Sequence, residues 1–540
     1  EAAATAQETA EAAAETAAAA VAAAQEAADA AQQAAESAAT AAATEDQPEA
    51  IRNGWIIQGW STNSFSQLDP VTGSGGDDHQ HIRVGHDSIV GYNPDLVPDA
   101  SRSLAASWEL ADPEGLTIVF TQKPDVRFHD GTPVNGEAVK ISMDRARTLE
   151  VGNTRADMQY VENIEVTDEL TTTWSMSQPF APLFRILGMR AGMLVSPKKI
   201  AESDDFLNRE PTGAGAHKFV EEVDGDRVVF EANDDYWKPN APLVNGVRFE
   251  MGLSTEQTTN ALLAGDTNVQ IYPDPATLTT IEDAGLVVRS KPTNYLHRYW
   301  INSNMEPWTN PHLRRAVNWA VDKQALVDVV WNGIGTPAHW GWLGPATGPD
   351  HDPNYEGYVK NPDKVREELA LAGFPDGFEF DMNSFDFATW IARDEFIQAQ
   401  LAEFGIVVNL DTKPSPAFWL EYFDLEASGH SSTMSTSADV YWQMAWVHDP
   451  LGPHAFGVPE DPNDPDRVAV TAGLQAVAQA FDPDERFTEM QKLNRALDEA
   501  AWGANWFYRW AVYAHPEEVE FEIFPDGYAN WGQDNVRINA

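Results

Sequence analysis

The stretch VRFHDGTPVNGEAVKISMDRAR, Val126 to Arg147, reads as a strand that turns sharply into a helix. Val126 and Phe128 stand two apart, the period of a half-buried strand. His129-Asp130-Gly131-Thr132-Pro133 is turn chemistry, because Gly accepts positive φ and Pro fixes its own. Asn135 is placed to cap the helix, and Glu137 in its first turn complements the helix dipole. Val139, Met143 and Ala146 then recur at helical spacing, with Lys140, Asp144, Arg145 and Arg147 on the wet face. The unit is β-turn-α, and an α/β fold is expected.

Composition bounds the rest. A chain of 540 residues exceeds what one core holds, so two or three lobes are expected. There is no Cys, which removes disulfides, thiolate nucleophiles and Cys-based zinc sites together. Formal charge is −49; beyond residue 50, 74 acidic side chains face 35 basic ones, an excess of 39. Phosphate neutralisation needs Lys and Arg, which argues against nucleic acid as a partner. No run of eighteen apolar residues appears, so no segment is expected to span a bilayer. The chain starts without Met or a leader, which processing or truncation is expected to have removed.

Outward from the opening stretch, the same order of signals continues. Residues 1–50 form an Ala/Glu-rich tail, strong in helix propensity and without large side chains to pack. It reads as a solvated tether, or as a stalk between a lipid anchor and the body, although no anchoring Cys is present. Trp55 to Trp60 is a strand, followed by a Leu68-Asp69-Pro70 turn. His79, His81 and His86 cluster, but in a helix His79 and His81 point to different faces. A capped, exposed helix start is therefore favoured over a metal site. Leu104–Glu109 and Leu116–Phe120 feed directly into the opening stretch, and Pro179–Pro197 continues as an apolar segment of the same lobe. The glycines of Pro211–Phe219 lack the Gly-Lys-Ser/Thr ending of a phosphate loop. Asn233–Trp237 lies between strands near 228–232 and 244–251. Gly265 fits a left-handed helix cap. Val317, Ala320, Val321 and Leu326 line one helical face, closed by Gly333, Gly335 and Pro337. No strand precedes Gly333-Ile334-Gly335, so a dinucleotide turn is set aside.

Taken in order, these stretches resemble the family 5 extracellular solute-binding proteins of ABC importers, the peptide, nickel and oligosaccharide receptor group. The opening stretch is similar to their F-H-D-G-x-P-hydrophobic-x-A-E-D-V pattern, with Gly136 and Ala138 where Ala and Asp are common. Pro211–Phe219 resembles "PvGTGPYkf", with Ala216 and His217 replacing Pro-Tyr; Asn233–Trp237 resembles "NpdYW". Leu104–Glu109 and Leu116–Phe120 resemble the family's "LAeSWe…dgltytF" pair of strands, and Tyr299–Lys323, Asp363–Phe374 and Trp502–His515 extend the likeness to the C-terminal end. The resemblance implies a two-lobed, periplasmic-binding-protein-like α/β fold of the large type II class, with an inserted domain. It places lobe I at 51–94, 209–299 and 500–540, the inserted domain at 95–208 and lobe II at 300–499. It implies a monomeric, non-enzymatic receptor without cofactor, in the periplasm or on the outer face of the cytoplasmic membrane. Such a receptor hands a small molecule or short peptide to permease subunits.

The candidate site is Tyr441 to Phe456, YWQMAWVHDPLGPHAF. Trp442 and Trp446 are four apart, and a turn then brings His448, Asp449 and His454. Trp446, Asp449, Pro453, His454, Ala455 and Phe456 are shared with parts of the peptide-type and nickel-type patterns, and the resemblance implies that Asp449 pairs a peptide's amino terminus. A buried carboxylate facing an ammonium confers affinity and sign selectivity. In the alternative, the Trp pair is core and Asp449 caps a turn. Tyr441, Trp340, Trp342, Trp506 and Trp510 (one helical turn apart if that part is helical), with Trp300 beside Tyr299 at the lobe crossing, are further lining candidates, since Trp faces stack on sugars and flat apolar groups. An oligosaccharide stacked on Trp and a metal chelate held by His454 are the competing guests. No HExxH, GxSxG or Walker loop occurs. A secreted hydrolase with two acidic groups and an adhesive surface protein are the rivals from other classes.

The acidic, Lys-poor body resembles salt-adapted proteins, in which salt screens self-repulsion. Thermal unfolding measured against NaCl should show Tm rising with salt; a Tm that stays level argues against salt adaptation.

Overall fold

The computed structural model describes residues 52–540 apart from 61–67, 74–77, 151–153, 203–206, 208–209, 415–416, 419–420, 422–427, 435–436, 453 and 540. The tail over 1–50 therefore lies outside the described residues. Strands in chain order are β1 Trp55–Gly59, β2 Ala105–Leu110, β3 Thr117–Gln122, β4 Val161–Asp168, β5 Thr171–Met176, β6 His217–Val223, β7 Arg227–Ala232 and β8 Gly246–Glu250. They continue with β9 Val269–Ile271, β10 Val287–Ile301, β11 Gly335–Pro337, β12 Glu379–Phe385, β13 Val407–Lys413, β14 Gly429–Met434 and β15 Gly503–His515.

Among the described residues, eleven strands join one sheet in the order β13-β12-β14-β10-β15-β9-β1-β8-β7-β6, with β11 on β15. The strands β2-β3-β5-β4 form a separate four-stranded sheet. β10 is 15 residues long, about 50 Å at roughly 3.4 Å per residue, and pairs with β14 on one side and β15 on the other. Its Val287–Lys291 part pairs with His515–Ala511, and its Tyr295–Trp300 part with Arg509–Gly503. The register shifts between Lys291 and Tyr295, where Pro292 supplies no N–H to the ladder.

The opening stretch behaves as a turn and helix, but not as a regular strand. Val126 and Phe128 are buried, yet only an isolated bridge joins Arg127 to Pro133. The segment folds back on itself through Val134 N–H to Val126 O (2.9 Å) and Phe128 N–H to Thr132 O (2.8 Å). Pro133 cannot extend that ladder, which is why it stays one bridge long. Gly131 takes φ 83°. The helix Gly136–Thr148 follows, with Asn135 accepting from the Ala138 N–H. His129 donates its backbone N–H to Gly213 O (2.9 Å), and its Nε2 lies 2.9 Å from Gly215 O. A Cβ on Gly213 or Gly215 would meet Gly85 backbone at 2.2 or 2.5 Å. Close backbone approach, not phosphate binding, accounts for those glycines.

Arg145 was expected on the wet face and is instead buried. Its guanidinium forks onto Asp69, Nη1 to Oδ1 at 3.0 Å and Nη2 to Oδ2 at 2.6 Å. Asp69 also accepts the Val71 N–H at 3.0 Å, so the Leu68-Asp69-Pro70 turn and the helix hold each other. The long helix expected through Leu326 is two helices, Pro311–Ala320 and Lys323–Val330. Val321 leaves the helical region at ψ 124°, and Asp322 caps the second helix through the Ala325 N–H. Val317, Ala320, Val321 and Leu326 still share one core, because the break turns the second helix back onto it.

His79, His81 and His86, expected at an exposed helix start, are buried in or just after the helix Asp78–Gly85. His81 sits edge-on between Trp60 (4.7 Å) and Phe249 (4.3 Å), and His86 Nδ1 meets Ile82 O at 3.0 Å. Burial holds the pKa values of His79 and His86 down, so they pack as neutral rings.

Replacing Arg145 by Ala leaves Asp69 as a buried charge without its fork, and should cost about 3–5 kcal/mol of stability. Urea unfolding of R145A against the parent measures this; a loss below about 1 kcal/mol would show that the pair does not tie the two segments.

Candidate functional site

The helix Val440–His448 is built for burial: every residue except Ala445 is buried, and an all-round apolar helix belongs inside a protein. Asp439 caps it by accepting the Tyr441 N–H at 2.9 Å. Arg486 Nη2 holds that cap at 2.7 Å while reaching Asp350 at 2.9 Å. Gln443 Nε2 donates to Asn294 O on β10 at 3.0 Å, which fixes the helix against the crossing strand.

One helical turn apart, Trp442 and Trp446 bring their rings to 4.3 Å between centroids. Both indole N–H groups donate to Asp157 Oδ1, at 2.5 and 3.2 Å. Asp157 closes a short helix, Thr154–Asp157, far away in sequence. Burial raises its pKa to about 6, against the indole hydrogen bonds and the charge of Arg190, which pull it down. Asp449 ends the Val440–His448 helix and accepts the Leu451 N–H at 2.9 Å. Tyr441 stands edge-on to Phe180 at 5.9 Å. Asp157, Phe180, Tyr441, Trp442, Trp446 and Asp449 line one pocket of about 30 Å³, room for one or two waters.

The other sequence-predicted residues divide in two. His454 stacks on Trp446 (5.3 Å), Trp300 stands edge-on to His454 (5.5 Å), and the Arg298 guanidinium lies 5.4 Å from the Trp300 ring and 4.5 Å from Trp342. Trp342 in turn stands edge-on to His448 at 5.3 Å. Trp442, Trp446, His454, Trp300, Trp342 and His448 thus form one continuous run, joined through Arg298. Burial pushes His454 down to about 4 and His448 well below the ordinary range, so both rings are neutral at pH 7. Trp340, Trp506 and Trp510 are not part of this run. Trp340 packs edge-on against His351 at 5.2 Å. Trp506 and Trp510 lie on β15, so the helical spacing conditionally read for them does not apply. Trp506 is wholly buried in the core with Trp308 and Phe380, and Trp510 Nε1 donates to Thr336 Oγ1 at 2.8 Å. Pro453 and the Phe456 side chain lie outside the described residues.

Sequence reasoning missed Asp157. It is one of 84 acidic residues, with no motif around it, and only tertiary packing brings it to the indoles.

Comparisons with known proteins agree with the fold. The model for bacterial extracellular solute-binding proteins, family 5 (middle region), matches residues 100–457. Over 354 residues the chain is 28% identical to the glutathione-binding protein GsiB of Pectobacterium atrosepticum, covering 64% of this chain and 67% of that protein. Among solved structures, the periplasmic binding protein AgaA of A. tumefaciens R10, in complex with agropinic acid, superposes with TM-score 0.78 at 22% identity, over 90% of this chain and 99% of that one. The Helicobacter pylori protein DppA, in complex with the peptide STSA, superposes with TM-score 0.76 at 19% identity, over 90% and 98%. The fold is the two-lobed, mixed α/β architecture of periplasmic binding proteins. This chain belongs to the bacterial extracellular solute-binding proteins of family 5, the substrate-binding components of ABC importers.

Proposed function

We propose that this receptor takes a short peptide, with the peptide's amino terminus held by Asp157 and Asp449 against the Trp442–Trp446 pair. The observation that carries the reading is the convergence of two carboxylates and two indoles on one pocket. A partly desolvated carboxylate attracts an ammonium strongly, and indole faces add cation–π attraction. The relatives point the same way: GsiB is named for glutathione, itself a short peptide, and DppA is bound to a peptide.

Capture requires the lobes to part and close again, since a pocket of about 30 Å³ admits only water. The proposed lobes are 51–94 with 209–299 and 500–540, and 300–499, with 95–208 inserted. Sheet order supports this division. β9, β1, β8, β7 and β6 come from the first set, β14, β12 and β13 from the second, and β2 to β5 make their own sheet. Asp157 then belongs to the inserted domain and Asp449 to lobe II, so a bound ammonium would bridge two bodies. The receptor is proposed to act as a monomer in the periplasm or on the outer membrane face. Residues 1–50 would be its tether, and the acidic body its adaptation to salt.

Calorimetry with di- to pentapeptides, oligosaccharides and a nickel–histidine chelate should give heat with the peptides, and no peptide should be cleaved. Asp449→Ala should abolish peptide binding; unchanged binding would remove Asp449 from the site. Asp157→Asn, which keeps the indole acceptor but not the charge, should weaken peptides about tenfold or more.

The pH dependence has a definite sign. Asp157, raised to about 6, is charged at pH 7 and neutral at pH 5. Peptide affinity should therefore fall as pH drops through about 6, and Asp157→Asn should flatten that fall. A parent profile level from pH 7 to pH 5 would exclude Asp157 as the ammonium's partner.

A further inference from the structure

The ladder between β10 and β15 is interrupted between Lys291 and Tyr295. Two residues inside the gap, Thr293 and Asn294, are nevertheless buried. Buried backbone that leaves a ladder must find other partners. Thr293 finds them within the strand pair. Its Oγ1 donates to Arg509 O at 2.6 Å and accepts the Tyr295 N–H at 2.9 Å, which patches the gap with a side chain. Asn294 finds them outside it. Its backbone carbonyl accepts Gln443 Nε2 at 3.0 Å, and its own Nδ2 donates to Ser437 O at 3.0 Å.

Both partners of Asn294 belong to the helix that carries the indole pair. Ser437 stands two residues ahead of the cap Asp439, whose backbone carbonyl accepts the Ser437 hydroxyl. Gln443 lies in the first turn of Val440–His448, next to Trp442. Ser437, Asp439 and Gln443 are all buried, so water does not compete for these bonds. One residue of the interrupted strand therefore grips the helix at two points. A strand that shifts at the gap must carry the helix with it or break two buried hydrogen bonds. From the same helix, Trp442 and Trp446 donate to Asp157. Neither Asn294 nor Gln443 lines the Asp157–Asp449 pocket.

We infer that Asn294 is a positioning residue that couples the interruption of the β10–β15 ladder to the Trp442–Trp446 pair. A change of pitch at the gap moves the indoles against Asp157, and a guest seated on the indoles stiffens the ladder. The two directions are of equal strength, because coupling between sites that bias one shared element is reciprocal. The consequence for binding rests on the proposed site; the coupling itself needs no guest.

The test reads the indole N–H resonances of the whole, guest-free protein by NMR with isotope-labelled tryptophan, the two signals being assigned with Trp442→Phe and Trp446→Phe. Thr293→Val keeps the side-chain shape and removes the oxygen that patches the gap. It lies outside the helix and the pocket, yet it should shift or broaden both signals. Those of Trp308 and Trp531, buried in two other cores, should stay in place. In an Asn294→Leu background, adding Thr293→Val should leave the Trp442 and Trp446 signals where Asn294→Leu alone puts them. Should Asn294→Leu not fold, Gln443→Met removes one of the two links and should weaken the response. Signals that ignore Thr293→Val in the parent overturn the inference, as does a response of full size in either background. With a guest that binds, Gln443→Met should speed dissociation about fivefold, the loss of one buried hydrogen bond; an unchanged rate counts against the coupling. If no peptide binds but the indoles respond as stated, the peptide reading falls and the coupling stands. If peptides bind and the indoles ignore Thr293→Val, the coupling falls and the site stands.

Discussion

The pairing of β10 with β15 carries the whole molecule. Strands average about five or six residues, yet these run to 15 and 13 and pair over most of their length. One end of the pair accepts β14 and the other accepts β9, so both halves of the large sheet hang from the same two strands. Pro292 breaks the ladder midway. Opposite that gap Thr293 Oγ1 donates to Arg509 O at 2.6 Å, and the Arg509 guanidinium lies between Tyr272 and Tyr295 at 3.7 and 4.1 Å. A discontinuous ladder bends more readily than a continuous one, and two lobes that must open and close need their connection to bend at a defined place.

Around that crossing the protein spends its aromatic residues in two ways. Trp308, Trp506 and Trp531 are wholly buried as packing. Trp442, Trp446, Trp300 and Trp342 are arranged instead in contact with polar and charged groups: Asp157, His454, Arg298 and His448. Large rings with one polar edge suit such places, because they exclude water while orienting a donor. The same chemistry explains why Asp157 holds its proton more tightly than an exposed carboxylate: the rings that donate to it also strip away its water.

Acidic residues show a comparable division. Among the described residues most acidic side chains are exposed or half-buried, but a few carboxylates do specific structural work where a cation meets them. Asp69 receives Arg145, Asp526 receives Arg83 at 2.7 Å, and Asp439 and Asp350 share Arg486. With only 35 basic residues in the chain, each buried pair commits a scarce partner to one position. Such pairs are costly to break singly, which makes them markers of where segments distant in sequence must meet.

Local chemistry was legible in the sequence wherever neighbours along the chain decide it. Asn135 caps its helix and Gly265 takes the left-handed cap at φ 80°, because capping and positive φ depend on adjacent residues, and the strands read near 55–60, 104–109, 116–120 and 228–232 form at 55–59, 105–110, 117–122 and 227–232. The order of those elements carried the family as well. Tertiary structure decided what long-range partners decide. Arg145 lies inside because Asp69 is there, His81 because two aromatic rings enclose it, and His79 and His86 as neutral rings held so by burial. The helix after Pro311 breaks so that both halves face one core. Asp157 meets two indoles contributed from almost three hundred residues later in the chain. Pairings of that range leave no periodicity or spacing behind, since either partner alone looks like any other charged or aromatic residue.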